Sequence, residues 1–192
     1  MPKVFFDISM SLDGFMTAAG QRPDEPMGPG GDVVHQWAFA GDEQDRSVLT
    51  EGGATTGAVI AGRRTYDTSI DWWGANGPTG PARLPVIVLS HGQPPEVPED
   101  GVYTFVDGIE AALAAAKKAA GDKDVTVMGG AETGIQYLRA NLIDELSLHI
   151  APVLFGSGTR MFEAVTELHR PLELVSVIHT PKALHLRARI VR

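Results

Sequence analysis

Two stretches of the chain carry residues that could hold an anion. In the first, the β-branched run Val125-Thr126-Val127-Met128 ends at Gly129-Gly130 and passes at once into Ala131-Glu132-Thr133-Gly134-Ile135. The run reads as a strand, and the continuation reads as a helix with Ile135 and Leu138 spaced for one buried face and Tyr137 beside them. A strand that hands a Gly-Gly turn to a helix start leaves backbone N–H groups unpaired at the positive end of the helix dipole. That is a phosphate cradle without a lysine. A tight strand–helix turn that needs glycine for packing alone would have the same sequence. The spacing is neither G-x-G-x-x-G nor a Walker loop. In the second stretch, a short buried strand over 55–61 ends at Gly62-Arg63-Arg64-Thr65-Tyr66-Asp67. Two guanidinium groups and a hydroxyl at a helix start form a good anion site, although exposed arginines are also common without one.

Titratable side chains supply the other candidates. Asp13, in Ser11-Leu12-Asp13-Gly14, is either a turn former or a ligand-facing carboxylate. Residues 42–53 read as a helix capped by Asp42, with Glu43 and Asp45 in its acidic first turn. Asp45 there serves the helix dipole or faces a substrate. Between them, residues 19–31 form a Gly/Pro-crowded loop of the kind that often covers a site, with His35 and Trp37 the nearest rings.

These residues need a framework to position them. Strands are expected at 3–10, 55–61, 85–91, 102–106, 125–128, 142–151, 172–178 and 183–190, with Asp107 capping a helix that ends at Gly121. Residues 71–84, which include Trp72-Trp73, read as a loop. Strand–helix alternation followed by a β-rich end implies an α/β fold, a mostly parallel sheet finished by antiparallel strands. With 192 residues, 43% hydrophobic and 21% charged, one domain over 1–192 is expected. A net charge of −8 argues against non-specific nucleic-acid binding. The absence of cysteine removes disulfides, thiol nucleophiles, iron–sulfur ligation and Cys-based zinc sites, and no metal is expected. With no membrane-length apolar run and no signal-peptide pattern, a cytoplasmic protein is the expectation.

Taken in order, Ser11-Leu12-Asp13-Gly14, Ala61-Gly62-Arg63-Arg64-Thr65-Tyr66, Val88-Leu89-Ser90 and Val127-Met128-Gly129-Gly130-Ala131 resemble the dihydrofolate reductase-like fold. More closely, the chain resembles the reductase domain of riboflavin biosynthesis (the RibD C-terminal type) and its stand-alone relatives. The likeness covers essentially the whole chain, including Pro-Val-Leu-x-Gly-x-Gly-x-Arg-x-Phe over 152–162. It implies a three-layer dihydrofolate reductase-like fold, NADPH as cofactor and a homodimer.

By the same likeness Gly62, Arg63, Arg64 and Thr65 hold the NADPH phosphates, with Arg63 facing the adenosine 2′-phosphate. Leu89, Ser90 and His91 lie beside the adenosine. Met128 leads into a turn of Gly129, Gly130, Ala131, Glu132 and Thr133 that receives the pyrophosphate, and the Gly129–Gly130 bond is expected to be cis. Glu132 departs from the pattern, since a carboxylate beside a pyrophosphate is unfavourable unless it points away. Backbone near Ser9 to Leu12 borders the nicotinamide, and Asp13-Gly14 opens the lid loop. Asp45, with Asp42 as rival, corresponds to the acid that contacts a pterin, and it is expected to act catalytically by orienting or protonating the substrate, with Asp13, His35 or water as the other proton source. His35 and Arg160 are further substrate-side candidates, Arg160 with an interface role as its alternative. The implied activity is hydride transfer from NADPH to a C=N or C=O bond of a small heterocycle or sugar-derived substrate. A 5-amino-6-(5-phosphoribosylamino)uracil-type substrate ranks ahead of a dihydropterin or dihydrofolate. A non-catalytic nucleotide-binding module and a purely structural homodimer are the competing classes.

Overall fold

The structure is a computed structural model that describes residues 2–94, 96–162 and 169–192. Its strands are β1 (Val4–Ser11), β2 (Phe15–Ala18), β3 (Thr56–Gly62), β4 (Val86–Leu89), β5 (Tyr103–Val106), β6 (Asp124–Met128), β7 (Glu145–Ala151), β8 (Gly158–Arg160), β9 (Leu172–His179) and β10 (Leu184–Ile190). The α-helices are α1 (Gln36–Ala40), α2 (Glu43–Thr55), α3 (Arg63–Trp73), α4 (Ile109–Ala120) and α5 (Ala131–Arg139). Strand order is β5-β4-β3-β6-β1-β7-β10-β9 in an eight-stranded sheet, and β2 and β8 pair separately. The chain divides into two compact units, Met1–Phe5 with Thr55–Leu142 and Phe6–Ala54 with Ile143–Arg192, so β1 contributes to both.

In the first unit β3 pairs in parallel with β4 and β6, and β4 pairs in parallel with β5. Every residue of β3 is buried, as a strand covered on both faces requires. The alanine-rich α4 buries Ala112, Leu113, Ala116 and Ala120 and packs on β3 and β4. A core of Val59, Ala61, Tyr66, Val86 and Val88 is closed by Ile70 and Trp73, among others. Those two contacts explain a departure from the sequence reading. Helix α3 continues through Trp72-Trp73 to Gly74, because Ile70 and Trp73 lie three apart on the buried face while Trp72 points to solvent. A second departure is at α4, whose N-cap is Gly108, while Asp107 pairs with His91.

In the second unit β10 runs antiparallel to both β7 and β9, as the alternating C-terminal pattern implies. The ribbon of β2 and β8 was not anticipated from sequence. Gly158 lets the two strands meet, since a Cβ there would stand 1.9 Å from the Thr17 carbonyl oxygen. Residues 19–31 are tied back on themselves by Ala18 to Met27, Arg22 to Glu25 and Gly28 to Glu25 backbone bonds. Among the described residues, no helix is long and apolar enough to cross a membrane.

Candidate active site

The first unit places two strand ends side by side. Ala61 of β3 is in register with Met128 of β6, and each strand runs through glycine into a helix, α3 or α5. Neither helix start is closed by a side-chain cap. Gly129 and Gly130 have φ of 72° and 75°, two successive left-handed residues that a side chain would strain. The peptide between them is trans, not the cis bond expected from the resemblance, and the backbone turns through these two positive φ values instead. A Cβ on Gly129 would stand 2.5 Å from Thr65 Cγ2, and one on Gly62 2.3 Å from Thr133 Oγ1. The starts of α3 and α5 are thus in contact, with glycine where any side chain would fill the gap.

Arg63 lies at the edge of this cradle. Its Nε donates to Asp67 Oδ1 at 2.7 Å, and Nη1 donates to Ser90 Oγ at 3.3 Å and the Gly92 carbonyl at 3.1 Å. The side chain therefore reaches the end of β4, where Leu89 sits in register with Gly62. His91, beyond it, stands in solvent against Asp107. Arg64 and Glu132 are both exposed, each in the first turn of its helix. A phosphate-bearing nucleotide fits this donor set, because bare glycine backbone, uncapped helix starts, a threonine hydroxyl and a guanidinium all favour an anion.

The second unit holds the titratable candidates. Asp13 accepts from Ser11 Oγ at 2.6 Å and from the Phe155 and Gly156 N–H groups at 3.1 and 2.7 Å. The Ser11 bond first, then those N–H groups, outweigh burial and hold its carboxyl down at about 2. Asp13 thus fastens the segment before β8 to the turn after β1. Arg160 stacks its guanidinium over Phe15 at 4.5 Å. His35 ends a 3-10 turn over Gly31–His35, and burial lowers its pKa.

Asp45 is completely buried. Asp42 caps α2 through its carboxylate and returns its own N–H to Asp45 Oδ2 at 2.9 Å, a reciprocal capping arrangement. Asp45 Oδ1 accepts from Thr180 Oγ1 at 2.8 Å and meets His185 Nε2 at 2.8 Å. Burial pushes this carboxyl up, but His185, the Asp42 N–H and Thr180 together hold it below the usual range.

His185 leads to residues that sequence reading missed. It stands opposite His149 across the β7–β10 pair, and the two Nδ1 atoms are 2.7 Å apart. His149 Nε2 lies 3.2 Å from Asp7 Oδ2, and Trp37 packs on both rings while donating from Nε1 to Ser9 Oγ at 2.9 Å. The signal in the sequence was the alternation Glu145, Ser147, His149 and His185, Arg187, Arg189, which marks a polar sheet face. Among the described residues no cluster of three or more His, Asp or Glu side chains is placed to hold a metal ion.

The architecture is that of the dihydrofolate reductase-like class, with a mostly parallel sheet and antiparallel C-terminal strands. Residues 2–186 match the RibD C-terminal domain, and the chain belongs to that family. A putative riboflavin biosynthesis protein from Shewanella sp. PV-4 superposes with a TM-score of 0.73 at 20% identity, covering 99% of both chains. RibD from Acinetobacter baumannii gives 0.68 at 20% identity, with all of this chain matching 59% of that one. A pyrimidine reductase-like protein from Corynebacterium diphtheriae gives 0.63 at 16% identity over 100% of this chain and 92% of that one. No curated protein matches the chain.

Proposed function

We propose that this chain is an NADPH-dependent reductase of a small heterocyclic or sugar-derived substrate, of the 5-amino-6-(5-phosphoribosylamino)uracil type. The observation that carries the reading is the glycine-lined cradle at the starts of α3 and α5 in a chain matching the RibD C-terminal domain over 2–186. A bifunctional deaminase and 5-amino-6-(5-phosphoribosylamino)uracil reductase from Thermotoga maritima shares the fold, with a TM-score of 0.65, and this chain spans 57% of it. Bound NADPH supplies the hydride. Backbone N–H groups of Ala131, Glu132 and Thr133 receive the pyrophosphate, and Thr65 Oγ1 flanks it. Glu132, exposed at the helix surface, leaves the turn to the backbone. Arg63, with Arg64 beside it, pairs with the 2′-phosphate at the end of β4 next to Leu89, Ser90 and His91. Asp13 and Asp45 enter as ionised anchors, Asp13 holding the segment before β8 and Asp45 holding His185. The protein acts in the cytoplasm as a homodimer.

A thermal-shift series with NADPH, NADH, flavins and pteridines tests the reading. NADPH at 100 times its dissociation constant adds about 2.7 kcal/mol to stability. Oxidation of NADPH with a ribosylaminopyrimidine, read against a dihydropterin, then assigns the substrate. NADPH binding without turnover of either marks a nucleotide-binding module, and no binding marks a structural protein.

A further inference from the structure

Helix α3 opens with two cations at its positive end. Arg63 and Arg64 stand in its first turn, no acidic residue shares that turn, and Gly62 supplies no side-chain cap. A helix start ordinarily favours Asp or Glu, and Arg belongs at the far end. The first acidic residue of α3 is Asp67, one turn on, and it pairs with Arg63. An acid that follows its base by four residues is also the weaker order for a helical ion pair. Helix stability accounts for neither placement, which leaves a ligand as the reason.

The bonds of Arg63 show which part of it is left for that ligand. A guanidinium carries five N–H groups. Nε gives its one to Asp67 Oδ1 at 2.7 Å, and Nη1 gives its two to Ser90 Oγ at 3.3 Å and the Gly92 carbonyl at 3.1 Å. Among the described residues, Nη2 donates to nothing. Its N–H groups remain for an anion, and the side chain is 34% exposed to receive one. Arg63, Asp67, Ser90 and Gly92 all belong to the first unit.

Asp67 acts on such an anion in two opposite senses. Its hold on Nε keeps the guanidinium in place, which favours binding. Its charge repels a second anion on the same cation, which opposes binding. Ser90 Oγ and the Gly92 carbonyl already fix Nη1, so the hold is duplicated, whereas the charge is not. Asp67 is 47% exposed, where salt and solvent screen a charge without abolishing it. Against a phosphate ester of nearly two negative charges, repulsion is the larger effect.

We propose that, in a chain acting as the reductase proposed above, Asp67 sets how tightly the cofactor 2′-phosphate is held. The phosphate takes the Nη2 side of Arg63, and Asp67 on Nε weakens that pairing. NADPH and its oxidised form both carry the 2′-phosphate, so both leave more readily than Arg63 by itself would allow. NADH lacks that group and is indifferent to Asp67. Cofactor discrimination thus rests on two residues, Arg63 supplying the affinity and Asp67 limiting it.

Titration calorimetry of Asp67→Asn tests the assignment, because Asn keeps an acceptor for Nε and removes the charge. NADPH is expected to bind about three- to tenfold more tightly, the order of effect of one nearby carboxylate at an exposed site. NADH binds as it does to the parent, and the NADPH dissociation constant becomes more dependent on salt. Asp122→Asn makes the same change in net charge just before β6, at the end of the sheet away from Arg63, and is expected to leave NADPH unchanged. Unchanged or weaker NADPH binding by Asp67→Asn overturns the assignment. Equal tightening of NADH, or equal tightening by Asp122→Asn, overturns it as well. A parent chain that binds no NADPH overturns the reductase reading instead, so the two failures are told apart.

Discussion

At the scale of single residues, Arg63 and Asp13 have roles that substitution can separate from packing. Arg63 is anchored by Asp67, Ser90 and Gly92, which hold its guanidinium at the strand end. A 2′-phosphate brings close to two negative charges to a chain of net charge −8, so its binding needs a local cation. Hydrogen bonds between charged groups contribute about 1.5–3 kcal/mol, or about 10- to 150-fold. Arg63→Ala is therefore expected to weaken NADPH by that factor and leave NADH nearly unchanged, measured by titration calorimetry. Equal losses would mean that Arg63 supports the loop alone. Asp13 gives a pH signature. Its folded value of about 2 lies below the ordinary 3.8, so the native state binds this proton less readily than the unfolded chain. The stability it contributes is present above the ordinary value and is lost as pH falls from there to about 2. Urea unfolding of Asp13→Asn against the parent should show a difference that shrinks across that window and is constant above it.

At the scale of elements, the starts of α3 and α5 decide the cradle, and their glycines act through two different constraints. Gly62 has an ordinary φ of −75°, so alanine there is a purely steric change, with its Cβ driven to 2.3 Å from Thr133 Oγ1. Gly62→Ala is expected to cost about 1–3 kcal/mol, as overpacking does. Adding Thr133→Ala removes the clashing hydroxyl and leaves the Thr133 Cβ distance at an ordinary 3.5 Å, so the double variant should recover most of the loss. Gly129→Ala also forces a left-handed φ, and relief at Thr65 should rescue only part of its cost. Chemical denaturation of the singles and the double reads both. These junctions were legible in the sequence because a buried strand, a glycine and a helix start are local signals. The conformation of the Gly129–Gly130 turn was not, since two glycines permit several backbone routes and the tertiary contacts choose among them. The β2–β8 ribbon was illegible for a related reason. Strands of four and three residues lack a readable period, and their pairing joins segments about 140 residues apart.

At the scale of the whole molecule, the sequence of strand types was readable from buried runs and alternation, but strand order and register were not. The histidine pair shows the consequence. Each histidine sits in an ordinary alternating strand, and only the β7–β10 register sets His149 opposite His185. Among the described residues, the same strand order leaves β9 at the sheet edge, paired with β10 alone, with Leu172, Leu174, Val175 and Val177 exposed. Leu174 is 63% and Val177 54% exposed, where an edge strand ordinarily carries charge to discourage pairing. An apolar edge of this kind is suited to burial against a second copy, as a homodimer requires. Leu174→Lys with Val177→Lys should convert a dimer into a monomer in sedimentation equilibrium, with the circular dichroism spectrum unchanged because neither side chain belongs to the buried core. A parent chain that sediments as a monomer at every concentration, or a double variant that stays dimeric, would remove β9 from the interface.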